Sequence, residues 1–211
     1  MEPVIRVHRA RAAVRLIGEV RELGTGTEAA RRHFAQGVAS LIGCAVGGVV
    51  HDVAYGQGLK GGIARATLTG FDSQIIDVFQ THHTRGSDFN PFHREVMRRG
   101  LGGHSEEVFT GTHDELVARN EWDRSTWINE YVRPARVDHF IGSLRFVGRT
   151  EGMGCGFMRA AGDRPFSAED RELLHLAHLG VGRFFEAPSP RSRLAPRVRE
   201  TLDVLLTGLS D

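Results

Sequence analysis

Histidine is the side chain best suited to moving protons or holding metals near neutral pH, and this 211-residue chain carries eleven of them. Their spacing decides what they can do together. His82 and His83 are adjacent, which would place their rings about 100° apart on any helix and spoil joint ligation. Glu172, His175 and His178 recur at one-face helical spacing, but Leu173, Leu174, Leu176 and Leu179 surround them. That segment reads as a core-packed helix whose histidines form its solvated polar side. The His-Glu-x-x-His pattern and cysteine-rich zinc spacings are both missing, so no metal site is expected.

Other chemistries find as little purchase. Gly58-Leu59-Lys60-Gly61-Gly62 lacks the Gly-Lys-Ser/Thr ending of a phosphate loop, and Gly152-Met153-Gly154-Cys155-Gly156 lacks dinucleotide-binding spacing. Both glycine runs read as turns or close strand packing. No Gly-x-Ser-x-Gly elbow singles out a serine nucleophile. We therefore expect no catalytic residue, no cofactor and no enzyme activity.

A cluster of aromatics is the stronger functional candidate. Trp127 and Tyr131 are four residues apart and share a helical face, Trp122 lies about a turn and a half earlier, and Phe140 and Phe146 follow on a strand. Two readings stay open: ordinary core packing, or the wall of an apolar ligand cavity.

The elements that must position these residues follow from periodicity. Residues 8–23 read as a helix ending at Gly24, and a second helix begins after Thr27 and runs to Ile42. Cys44–Val53 and Ile63–Phe71 read as a β-hairpin about a glycine-rich turn. Ser73–His83 turns helical, Asn90-Pro91 opens a helix through Arg99 that Gly100, Gly102 and Gly103 terminate, and Asp114–Arg133 reads as one or two helices stopped by Pro134. Val137–Gly148 and Gly154–Ala161 are strands. Ser167-x-x-Asp170 is a capping box opening a helix through Phe185. Strands with helices at both ends imply an α+β sensor fold.

Composition narrows the class further. Basic and acidic residues nearly cancel, 27 against 26, so the body has no global charge that would hold nucleic acid. Cys44 and Cys155 lack the spacing of a redox or zinc pair and read as reduced, partly buried thiols. No stretch approaches the roughly 18 apolar residues of a membrane helix. Arg6, Arg9, Arg11 and Arg15 are not followed by a signal-like apolar run, so a cytoplasmic chain with no membrane partner is expected.

Two stretches resemble one family. Leu194-Ala-Pro-Arg-Val-Arg-Glu-Thr-Leu-Asp-Val-Leu-Leu-Thr-Gly-Leu-Ser-Asp211 is similar to the first helix of the LuxR-type helix-turn-helix domain. Leu194, Pro196, Arg197, Glu200, Leu202, Gly208, Leu209 and Ser210 agree with its pattern, whereas Ala195 and Val198 depart from it. Trp122-Asp-Arg-Ser125, Trp127-Ile-Asn-Glu-Tyr-Val-Arg-Pro134 and Asp163-Arg-Pro-Phe-Ser-Ala-Glu-Asp-Arg-Glu-Leu-Leu174 resemble the GAF-like sensor region of such regulators.

The resemblance implies a GAF/PAS-like antiparallel sheet flanked by helices over residues 1–186, a Pro-containing linker at 187–193, and an incomplete helix-turn-helix at 194–211. It implies a homodimer that receives an unknown small-molecule or protein signal, with Trp122, Trp127, Tyr131, Phe140 and Phe146 as candidate ligand contacts. DNA would be reached only through the missing C-terminal part, because base edges are read by a recognition helix that follows the matched residues. Arg193, Arg197 and Arg199 could touch phosphate at most. A stand-alone GAF-like binding or dimerisation module is the alternative.

Overall fold

The computed structural model describes residues 5–24, 26–55, 61–78, 89–102, 108–147 and 151–185. The expected linker and terminal helix, with Arg193, Arg197 and Arg199, lie outside the described residues, as do His82, His83 and Gly58 to Lys60. The periodic apolar stripe of the first segment folds as α1 (Val7–Glu22), which buries Ala13, Leu16, Ile17 and Val20. Helix α2 (Glu28–Ile42) starts at Thr27, whose hydroxyl accepts the Ala30 N–H at 3.1 Å. It stops at Gly43, whose φ of 69° is the left-handed conformation that glycine adopts without strain.

Strands β1 (Val46–Tyr55) and β2 (Gly61–Thr69) form the expected antiparallel hairpin. After a short helical stretch at 73–78 comes α3 (Pro91–Gly102), capped by Asn90, whose Oδ1 accepts the Phe92 and His93 N–H groups at 3.0 and 3.2 Å. The helix runs through Gly100, so that glycine does not act as the expected stop.

Strand β3 (Val108–Thr112) has no counterpart in the sequence reading. Five residues are too few for a clear alternation, and its extended form rests on pairing with β4 (Val137–Val147). The one or two helices expected between them are three short pieces. These are α4 (His113–Leu116), α5 (Arg119–Arg124) and a π-helical turn over Ile128–Val132. Strand β5 (Glu151–Ala160) then leads to α6 (Ala168–Phe185), opened by the expected capping box. Ser167 Oγ accepts the Asp170 N–H at 3.2 Å and Asp170 Oδ2 accepts the Ser167 N–H at 3.0 Å.

The five strands make one antiparallel sheet in the order β2-β1-β5-β4-β3, flanked by helices, and the fold is α+β. Alternation along the strands divides the interior in two. On one face Val49, Ile141, Met153, Cys155 and Phe157 pack against α1, α2 and α6. On the other, Phe140 and Leu144 meet Trp122, Trp127, Ile128 and the 73–78 and α3 segments. Among the described residues no helix is long and apolar enough to cross a membrane.

One buried carboxylate ties the first face together. Asp170, fully buried, lies 2.9 Å from Arg9, 3.3 Å from Arg159 and 2.8 Å from Arg164. These guanidiniums and the capping N–H hold its carboxyl well below the usual carboxylate range against the opposing effect of burial. Arg159, itself buried, also donates to the carbonyls of Ile42, Gly43, Arg164 and Pro165.

Candidate functional site

The second face of the sheet is unusual because much of its centre carries no side chains. Gly48 on β1 pairs with Gly156 on β5, Gly156 with Gly142 on β4, and Gly142 with Gly111 on β3. Four glycines therefore line up across four strands, pointing to one face. Glycine inside a strand weakens it by roughly 0.5–1 kcal/mol relative to alanine, so such a row calls for something that approaches the backbone closely.

Three of the four have their visitor within the chain. A Cβ on Gly48 would stand 2.8 Å from the Leu68 side chain, one on Gly111 2.8 Å from Leu116, and one on Gly142 3.1 Å from the Phe92 ring. At Gly156 nothing among the described residues lies within 4 Å. Above it opens a cavity of about 160 Å³, walled by Val50, Leu68, Phe71, Phe92, Phe140 and Leu144 and reached also by Ile75, Val78, Val96, Trp127 and Met158. Asn90 and His93 bring polar atoms to this otherwise apolar wall. The Oδ1 of Asn90 is committed to the start of α3, and among the described residues its amide N–H groups are the part left to face a guest.

The expected aromatic residues separate into layers. Trp127 and Phe140 line the cavity, with ring centroids 5.6 Å apart. Trp122 is buried behind Phe140 at 5.6 Å and sends its indole N–H to Asp138 at 3.3 Å. Tyr131 is half-buried against Phe89, 5.7 Å between centroids, outside the cavity lining. The π-helical turn begins just after Trp127. The side chain of Phe146 lies outside the described residues. What the sequence reading missed was the floor, although Gly152-x-Gly154-x-Gly156 repeats at the strand period of two and so strips one face of a strand.

The histidines also sort themselves by geometry. His178 is fully buried, contrary to the solvated side expected for this helix. Its Nδ1 is 2.7 Å from Ser143 Oγ, which is 2.8 Å from Thr110 Oγ1, which is 3.1 Å from His175 Nδ1. The polar side of α6 is thus turned onto hydroxyls of β3 and β4, a pairing that only the packed sheet creates. Burial, with Arg145 and His175 nearby, pushes the His178 imidazole down to about 3, so it stays neutral.

His113, Asp114 and His139 bring ligand atoms within 4.8 Å of one another, the spacing of a small metal site. The hydrogen bonding argues against one. His113 Nδ1 accepts the Phe140 N–H at 3.2 Å, so the neutral ring carries its proton on Nε2, the nitrogen 3.1 Å from Asp114. A histidine that ligates through Nε2 needs the opposite tautomer, with Nδ1–H donating to its surroundings. The ring instead packs on Trp122 at 4.3 Å and is kept neutral mainly by burial, which Asp114 partly opposes.

No family model matches this chain, and no curated protein matches it by sequence. Similarity appears in three dimensions. The VqsR LBD domain from Pseudomonas aeruginosa aligns at a TM-score of 0.50 and 13% identity, over 86% of this chain and all (100%) of that one. SdiA in complex with octanoyl-rac-glycerol aligns at 0.54 and 11% identity, over 98% of this chain and 80% of that one. The GAF domain of a sensor histidine kinase from Pseudomonas syringae pv. tomato aligns at 0.45 and 13% identity, over 96% of this chain and 94% of that one. At these identities the likeness is one of fold.

Proposed function

We propose that this chain is the signal-sensing part of a LuxR-type transcriptional regulator, and that its signal is a small, mainly apolar molecule held in the cavity above Gly156. The observation that carries the reading is that cavity: an open-mouthed pocket between the sheet and the segments packed over it, lined mostly by apolar side chains, and floored by a glycine that no described side chain covers. The fold shared with the VqsR LBD domain and with SdiA, whose solved form holds a small glyceride, supports it. The resemblance of residues 194–211 to the opening of a LuxR-type helix-turn-helix supports the regulator half.

Function on this reading is a population shift and not turnover. A guest that fits one arrangement of the cavity wall better than another biases that arrangement by its differential affinity, and two protomers pass the bias to a DNA-binding output. Nothing is consumed. Native mass spectrometry of gently purified protein tests this, with a cavity-filling Leu144→Phe variant beside it. We expect a co-purifying small molecule in the wild type that the folded variant has lost. Retention of the same molecule by the variant would place the guest elsewhere and overturn the assignment.

A further inference from the structure

We propose that the cavity selects a flat ring compound that lies face-down on the peptide planes around Gly156, in preference to a flexible chain of similar size. The inference rests on the ligand-pocket reading above and narrows its chemistry.

The argument begins with the glycine row. On three of its four positions a side chain of the protein itself descends onto bare backbone: Leu68 on Gly48, Phe92 on Gly142 and Leu116 on Gly111. The fourth, Gly156, lies between two of these covered positions, with Gly48 and Gly142 as its cross-strand partners. The space above it is open, and Leu68 and Phe92 stand on either side across the strands. Gly154, two residues along and also lining the cavity, is already covered, since a Cβ there would come 3.0 Å from the Val50 side chain and 3.7 Å from Leu144. Phe140 and Met158 close the other end along the strand direction.

At Gly156 the peptide planes can be reached with no Cβ in the way, and a flat apolar face gains the most contact from such a patch. Dispersion contacts are individually small and fall off within an ångström of gap, so a planar guest that meets the whole floor outbinds a chain that touches it at a few points. The side walls favour the same guest, since Phe92, Phe140 and Trp127 offer ring edges and faces to an aromatic. An apolar cavity of about 150 Å³ takes up benzene, and about 160 Å³ leaves room for a small ring system. The Asn90 amide suits one acceptor on the edge of that ring.

Two probes with the same number of carbon atoms and one hydroxyl each separate the alternatives: 2-naphthol and 1-decanol. Calorimetric titration of the full chain is expected to give 2-naphthol at least about tenfold the affinity of 1-decanol. Gly156→Val is expected to lower 2-naphthol affinity by about tenfold or more while thermal unfolding stays at or above the wild-type temperature. A Cβ there meets no neighbour among the described residues, and a β-branched residue suits a strand. Equal or tighter binding of 1-decanol, lost in the same variant, would overturn the ring preference and leave the pocket reading standing. Undiminished 2-naphthol binding by Gly156→Val would remove Gly156 from the floor and with it the inference. Binding of neither probe would sink the inference together with the pocket reading beneath it.

Discussion

At the scale of single residues, burial sets the chemistry of the charged and titratable groups. His178 has a folded pKa near 3 against an ordinary value near 6.5, so between those limits the unfolded chain takes up a proton that the folded chain refuses. Its contribution to stability is complete above about pH 6.5 and falls as the pH drops towards 3, by roughly 1.4 kcal/mol per pH unit. Urea unfolding at pH 7, 6 and 5 should show that slope, and His178→Gln should flatten it. An unchanged slope in the variant would mean that the ring already titrates in the native state. Asp170 is the opposite case, a buried charge satisfied by three guanidiniums. Asp170→Asn strands Arg159, whose side chain is 2% exposed, and should cost about 3 kcal/mol or more in denaturant unfolding. A loss below about 1 kcal/mol would show that its carbonyl partners suffice to hold it.

Among the elements, α1 is positioned by two glycines that it presses into. A Cβ on Gly37 of α2 would come 2.3 Å from Leu16, and one on Gly180 of α6 would come 2.4 Å from Ile17. The helices approach each other over bare backbone. Gly18, on α1 itself, has nothing within 4 Å. Alanine gains about 1 kcal/mol over glycine in a helix interior, whereas overpacking a close contact costs about 1–3 kcal/mol. Gly18→Ala should therefore raise the unfolding temperature and Gly37→Ala should lower it. Should both rise together, Leu16 must have a free rotamer to retreat into and the close contact would be adaptable.

Over the whole molecule, the sheet separates two unlike halves. The α1-α2-α6 side packs Phe34, Ile42, Leu173, Leu174, Val181 and Phe157 with essentially no exposure, whereas the other side holds the open cavity, with short helices and a π-helical turn around it. Local opening follows the density of buried contacts. Amide hydrogen exchange should be slowest in α2, α6 and the central strands, and faster in the α3 and Ile128–Val132 segments. Binding of a cavity guest should slow exchange in those faster segments most. Uniform protection across both faces would contradict the idea that the cavity side is the responsive one.

The sequence by itself determined most of the elements, because their signals are local. Apolar periodicity and the Thr27 cap specify α1 and α2, the Ser167-x-x-Asp170 box specifies the start of α6, and the valine-rich run with its glycine turn specifies the first hairpin. Trp127 and Phe140 could be named as neighbours from helix phase and strand position, while the choice between core packing and a cavity wall stayed open. Strand β3 could not, since five residues carry little pattern and are held extended by β4. Nor could the burial of His178, which depends on Ser143 meeting it across the sheet-helix interface. The cavity floor lay outside local reading for the same reason. Gly48, Gly111, Gly142 and Gly156 come from four strands, and only the register of the folded sheet brings them into one row and leaves Gly156 uncovered by the described residues.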